Sequence, residues 1–256
     1  MTDAPSAPSQ PVVDRSDPDV VVADVTISDT DAFLVEPREG GRGAATLFLH
    51  WFDTQAPDGN PTQFLDEAIG LARDHGIVSV LPQGRFPWFG APTDAEADAA
   101  RIRAEVERQR AAVDLLAARP DVAPGRIALV GHDFGGMHGI VLAAEDRRIA
   151  ATCVIAATPR WGDWFLPFWP IAGDRFDYLR ALAPLDPIAR IAEIPPRPLL
   201  LQFARNDYFI APMTAGELHR AAGEQSEMQA YQADHGVRAP QARADRLAFL
   251  RRSVGL

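Results

Sequence analysis

The sequence predicts an α/β fold with a mostly parallel central sheet flanked by helices, and three observations carry that expectation. Short apolar segments alternate with helix-compatible ones along most of the chain. Several apolar segments are almost unbroken, as strands covered on both faces are. One of them, Ile127-Ala128-Leu129-Val130, runs straight into Gly131-His132-Asp133-Phe134-Gly135-Gly136, and a helix-compatible stretch over 137–145 follows.

The elements follow in order. Residues 1–19 are rich in Pro, Ser and Asp, have no basic start or apolar core, and read as a disordered polar leader. Residues 20–27 and 31–35 are an opening strand pair with Ser28-Asp29-Thr30 as the turn. Gly40-Gly41-Arg42-Gly43 reads as a hairpin-like turn into an apolar strand over 45–52. Residues 61–75 have helical spacing at Phe64, Ala68 and Leu71, and end at Gly76. A buried strand over 77–81 precedes the longest helical pattern, 93–118, with Ile102, Val106, Ala112, Val113 and Leu116 facing inward. Strands over 126–130, 150–157 and 198–203 alternate with helices over 137–145 and 212–222. Residues 227–231 read as an edge strand and 242–254 as a closing amphipathic helix. One domain over 20–256 is expected, with roughly three-quarters of its unfolded surface buried. The interval 158–196 breaks the pattern with Trp161, Trp164, Phe165, Phe168 and Trp169, then a helical piece interrupted by Pro184 and Pro187. It reads as a short lid segment in place of a full cap domain.

Composition narrows the function classes. The net charge of −10 argues against nucleic acid and anionic membrane surfaces as partners, and no apolar run is long enough to span a bilayer. The single cysteine, Cys153, rules out an internal disulfide and fits a cytoplasmic location. All 25 basic residues are Arg, so Lys-based Schiff-base chemistry is excluded. No His, Asp and Glu grouping has metal-ligand spacing, and Gly40-Gly41-Arg42-Gly43 is a weak match to phosphate-binding loops. Neither a metal nor a cofactor is expected; the partner is a small-molecule substrate, and a homodimer is left open.

The chemistry centres on Asp133. A strand ending in Gly-x-Asp-x-Gly before a helix has the form of a nucleophile elbow, with a carboxylate where the usual serine stands. Asp207, after the strand that ends at Phe203, and His235, after the last strand, fall in the order nucleophile, acid, base. Each follows the carboxyl end of a strand, where an open parallel sheet puts its site. A carboxylate needs no base in order to attack. His235 becomes useful when an ester on Asp133 must be hydrolysed, with Asp207 steadying the imidazolium. The backbone N–H groups of Phe52 and Phe134 are the candidate oxyanion hole. Trp51, His132, Trp161, Trp164, Trp169, Tyr178 and Tyr208 are candidate pocket residues, and Asp163 is a reserve acid. His50 and His132 read as packed neighbours of the site, and His75, His138 and His219 as packing or surface residues.

These residues resemble the α/β-hydrolase superfamily over roughly residues 20–254. The layout is similar to dienelactone-hydrolase-like members, which use cysteine or serine at the elbow. Gly131-His132-Asp133-Phe134-Gly135-Gly136 resembles the elbow of epoxide hydrolases and haloalkane or haloacetate dehalogenases, and His50-Trp51-Phe52-Asp53 departs from their His-Gly-x-Pro at two positions. That resemblance implies a covalent alkyl-enzyme ester on Asp133 and a small, largely apolar substrate. Tyr178 is the single tyrosine in the lid interval for opening an epoxide, and Phe134 stands where dehalogenases have a halide-binding Trp. Two other expectations stand beside it. One is an ester, lactone or C–C bond hydrolase in which Asp133 positions water or substrate. The other is a non-catalytic ligand-binding member.

Overall fold

A computed structural model describes residues 15–52, 60–86, 94–167, 170–171 and 173–255, with the side chains of 60, 61 and 165 outside that description. Eight strands form one sheet in the order β1-β2-β4-β3-β5-β6-β7-β8. They are β1 (Val20–Ile27), β2 (Thr30–Pro37), β3 (Gly43–Leu49), β4 (Val78–Pro82), β5 (Val122–His132), β6 (Ile149–Ile155), β7 (Leu199–Ala204) and β8 (Glu227–Tyr231). β1, β2 and β4 pair antiparallel, and every pairing from β4 through β8 is parallel. Leu47, Val80, Leu129, Val154 and Leu201, one from each of five strands, are fully buried. Each such side chain contributes roughly 1.5–3 kcal/mol.

The helices are α1 (Leu65–His75), α2 (Ala95–Ala117), α3 (Phe134–Glu145), α4 (Trp161–Phe165), α5 (Arg175–Leu182), α6 (Pro187–Arg190), α7 (Pro212–Ala222) and α8 (Pro240–Val254). α1 stops at Gly76 in the left-handed conformation, φ 69°. α2 starts where the Asp94 side chain accepts from the Ala97 N–H at 2.9 Å. α3 and α8 both pack over β5 and β6; Val154 of β6 faces Gly136 of α3, while the adjacent Cys153 lies beside Gln202, which Arg246 of α8 contacts, so the two helices cover opposite faces. On the α8 side, the Arg246 guanidinium meets Glu67 of α1 at 2.5 and 2.8 Å and Gln202 of β7 at 2.7 Å, a buried network joining two helices to the sheet.

One connection differs from expectation. β2 pairs with β4, and β3 lies on the far side of β4, so Gly40-Gly41-Arg42-Gly43 makes a crossover and not a hairpin. Register explains this: Ala32 to Val35 of β2 run opposite Ser79 to Pro82, leaving β3 to pair in parallel with β4 and β5. The sheet strand β3 also ends at Leu49, releasing His50 to Phe52 as loop above its carboxyl end. The interval 158–196 holds α4, α5, α6 and two 3-10 turns, with α5 packed on α2. Residues 1–14 of the expected leader, and Trp169, lie outside the described residues. No described helix is long and apolar enough to cross a membrane.

Candidate active site

The sheet delivers three loops to one end. β5 runs into Asp133, whose backbone takes φ 54°, ψ −120° before α3 begins. A non-glycine residue held there stores on the order of 1–3 kcal/mol of strain. The flanking glycines make the bend possible. A Cβ on Gly131 would stand 2.7 Å from the Gly135 carbonyl oxygen, and one on Gly135 would overlap the carbonyl oxygens of Leu49 and His50. The carboxyl group of Asp133 is thereby fixed above the sheet, fully buried.

Its two oxygens have different surroundings. Oδ2 accepts the Phe52 N–H at 3.1 Å, and the Phe134 N–H also acts on the carboxylate. Oδ1 is buried and has no hydrogen-bond partner. Burial raises the carboxyl to about 7, against the opposing pull of His235 and of the Phe52 and Phe134 amides. The group therefore exchanges its proton near neutrality.

His235 comes from the loop after β8. Its Nδ1 lies 2.9 Å from Asp207 Oδ2, and the other Asp207 oxygen accepts the N–H groups of Phe209 and Ile210 at 2.8 and 3.1 Å. The Asp207 carboxylate is thus pinned on both sides, and Nδ1 of His235 carries the donated hydrogen. The second ring nitrogen, Nε2, is buried without a partner. Burial disfavours the imidazolium, yet the Asp207 hydrogen bond and the charges of Asp133 and Asp207 outweigh it and raise the pKa. Asp133 Oδ1 and His235 Nε2 are therefore two unpaired polar atoms of one buried, electrostatically coupled group. Such atoms mark a place for water or substrate.

Aromatic rings close around them. Trp51 lies nearly parallel to His235, 6.5 Å between ring centroids, and Trp164 meets His235 edge-on at 5.4 Å. Both indole N–H groups are buried and unpartnered. Phe209 covers His235 at 5.1 Å and Trp164 at 4.9 Å, while Phe52, Phe86 and Phe134 form an apolar wall. Phe209 and Phe86 are not among the residues the sequence singled out, and their one signal there is proximity to Asp207 and to the end of β4.

The remaining candidates sit differently. Trp161 is buried, but its indole N–H is donated to the Leu185 carbonyl at 2.8 Å, so it braces the lid interval and offers no donor to the site. Tyr178 is buried and donates its hydroxyl to Asp98 of α2 at 2.8 Å, tying α5 down. Tyr208 is 85% exposed and meets Phe209 edge-on. Asp163 stays near Arg160 on α4, and the acid hydrogen bonded to the His235 ring is Asp207. His132 is buried between Trp51 and His235, and burial holds it well below the usual histidine range. His50 and His138 are likewise pushed by burial to about 4 and are neutral at pH 7. Among the described residues, no cluster of three or more His, Cys, Asp or Glu is arranged to hold a metal.

Comparison with known proteins agrees with this architecture. The dienelactone hydrolase family model matches residues 93–248, well over half of the chain, and spans Asp133, Asp207 and His235. TT1662 from Thermus thermophilus is 18% identical in sequence. The match covers 93% of this chain and 99% of that one, with a TM-score of 0.73. The α/β hydrolase GrgF from Penicillium sp. sh18 is 17% identical over 93% and 99% of the two chains, with a TM-score of 0.65. The esterase domain of a Rhodothermus marinus protein is 21% identical over 92% and 99%, also at 0.65. At such identities the likeness is one of fold. No protein of curated function matches the chain. Carried by the family match over residues 93–248, the chain belongs to the dienelactone hydrolase family and is a hydrolase of the α/β-hydrolase fold.

Proposed function

We propose that this hydrolase cleaves small, largely apolar ester or lactone substrates, with His235 activating water and Asp133 holding the substrate carbonyl. Family membership supports that substrate class and weighs against a non-catalytic binding role. The carrying observation is the pair of unpartnered buried atoms, Asp133 Oδ1 and His235 Nε2, with Asp207 on the other ring nitrogen.

The Phe52 amide is engaged by Asp133 Oδ2, so a substrate oxyanion finds its donor elsewhere. A carboxyl that titrates at about 7 supplies one: protonated Oδ1–H donates to the carbonyl oxygen. Water attacks the carbonyl carbon as its proton passes to His235 Nε2, and Asp207 stabilises the imidazolium. Collapse of the tetrahedral adduct breaks the C–O bond, and the leaving alkoxide takes the proton back from Nε2. Free acid and alcohol result, and the enzyme is unchanged. Trp51 and Trp164 offer their indole N–H groups to acceptor atoms elsewhere on the substrate.

A second reading has one observation in its favour. Oδ2 engaged by backbone amides and Oδ1 unpartnered is also the posture of a carboxylate ready to attack an electrophilic carbon. His235 would then direct water onto the resulting Asp133 ester, with Phe52 and Phe134 holding the oxyanion. The tyrosine geometry disfavours epoxides within this reading, since Tyr178 is engaged by Asp98 and Tyr208 is exposed. Unpartnered indoles fit a halide.

A single turnover in ¹⁸O water with excess enzyme separates the two. The ester reading expects label in the product acid and none in Asp133. Label in Asp133 overturns it in favour of covalent catalysis. Asp133→Asn gives an independent answer: an amide N–H keeps the donor, so turnover of 4-nitrophenyl acetate stays within about tenfold, whereas covalent catalysis stops. The cytoplasmic setting and the small-molecule partner rest on the lone buried Cys153 and the acidic charge balance.

A further inference from the structure

Gln63, at the turn of 3-10 helix (Asn60–Phe64) leading into α1, makes contacts that the proposed chemistry leaves unused. Its Oε1 accepts the Trp51 N–H at 2.8 Å. A backbone N–H can only donate, so the amide oxygen is placed there and the NH₂ group faces the other way, onto His132 Nδ1 at 2.5 Å. Nδ1 must then accept, and the imidazole proton resides on Nε2. That nitrogen lies 3.0 Å from the backbone carbonyl oxygen of His235, which can only accept. One arrangement of hydrogens satisfies the whole chain, with His132 neutral.

We infer that Gln63 and His132 are positioning residues that lock the loop carrying Phe52 to the loop carrying His235, through a single fixed tautomer of His132. The inference rests on the hydrolytic reading of the site for its kinetic consequence, and on hydrogen-bond geometry alone for its structural one. Three loops from distant parts of the chain meet at the site: that of Trp51 and Phe52, that of Asp133, and that of His235. Gln63 holds the first, His132 belongs to the second, and the His132 Nε2–H holds the third. Sub-ångström placement of a base and of an oxyanion donor governs rate more than binding. Around His132 stand Trp51 and His235, Asp133 is its chain neighbour, and Arg238 and Arg246 act at longer range. The cationic members of that set oppose a second positive charge and support the neutral form.

The test uses the full chain with ¹⁵N-labelled histidine. Ring-nitrogen spectra of the wild type are expected to show His132 as the neutral Nε2–H form, without titration between about pH 5 and 8. Gln63→Met, which neither accepts nor donates comparably, is expected to mix the His132 tautomers and move the His235 ring signals. It should lower kcat toward 4-nitrophenyl acetate by about 10- to 100-fold while KM changes less than about twofold. Gln63→Glu restores both contacts only when the new carboxyl and His132 together hold one extra proton, on the ring or on the carboxyl. Its activity relative to wild type at the same pH is therefore expected to recover as pH is lowered and to fade as that proton is lost, a dependence that mere packing would not produce. Wild-type His132 carrying its proton on Nδ1, or titrating near an ordinary histidine value, overturns the inference even if no variant folds. So does a Gln63→Met enzyme with unchanged kcat or unmoved His235 signals. A wild type inactive on the ester counts against the hydrolytic reading alone, and the spectra still decide this one.

Discussion

Replacing Asp133 by asparagine removes one charge and almost no volume, and its effect on stability follows from the burial of that carboxyl. The folded chain holds the Asp133 proton to about 7, against an ordinary 3.8, chiefly because burial penalises the charged form. Between those pH values the native state binds more proton than the unfolded state, so stability falls as pH rises through the window. At about 1.4 kcal/mol per pH unit, the wild type gives up on the order of 4 kcal/mol by pH 8. Asparagine has no such proton to lose. Its oxygen can still accept the Phe52 N–H. One contribution runs the other way. His235 has a raised pKa, so its stabilisation is present below an ordinary histidine value and fades as pH climbs through the raised one; part of it comes from the Asp133 charge and disappears with it. The pull of His235 is already contained in the value of about 7, so the net expectation is a variant more stable than wild type by roughly 4 kcal/mol at pH 8, converging with it near pH 4. Urea unfolding of both proteins at several pH values measures the difference directly. A difference that is flat with pH, or a wild type that is the more stable at pH 8, refutes the buried-carboxyl argument.

Other perturbations read other parts of the structure. Asp207→Ala removes the partner of His235 Nδ1 and is expected to lower kcat by about 10³- to 10⁴-fold. Because Asp207 raises the His235 pKa, residual activity in that variant should reach its plateau at lower pH in a kcat profile. Trp164→Phe keeps the ring against Phe134, Phe209 and His235 but deletes an unpartnered N–H. Thermal unfolding should change by less than about 1 kcal/mol while KM for acceptor-bearing esters rises. Tyr178→Phe withdraws a hydroxyl from buried Asp98 and should cost about 1–3 kcal/mol in denaturant unfolding, leaving kcat unaltered. Gly135→Ala drives a Cβ into the Leu49 and His50 carbonyls and should cost several kcal/mol, seen as a large drop in Tm with loss of activity.

What the sequence held by itself is what neighbours in the chain decide. Gly131 and Gly135 are written around Asp133 because one bend needs both, so the elbow was legible in six consecutive residues. Strand and helix periodicities were legible for the same reason, and with them the order of Asp133, Asp207 and His235 at the carboxyl ends of strands. The family resemblance followed from those residues. Contacts between distant residues were not legible. Nothing near residue 63 announces that its amide will meet His132, 69 positions away, and nothing near Tyr178 announces Asp98, 80 positions back. Three lid-interval tryptophans look alike in the sequence. The structure gives the Trp161 N–H to Leu185, leaves that of Trp164 buried without a partner beside His235, and does not describe Trp169. The glycine-rich link after β2 likewise looks like a hairpin until the pairing of β2 with β4 sends it across the sheet. Backbone conformation is a local property set by sterics over a few residues. Which donor meets which acceptor depends on how the sheet brings its loops together, and only the tertiary structure decided that.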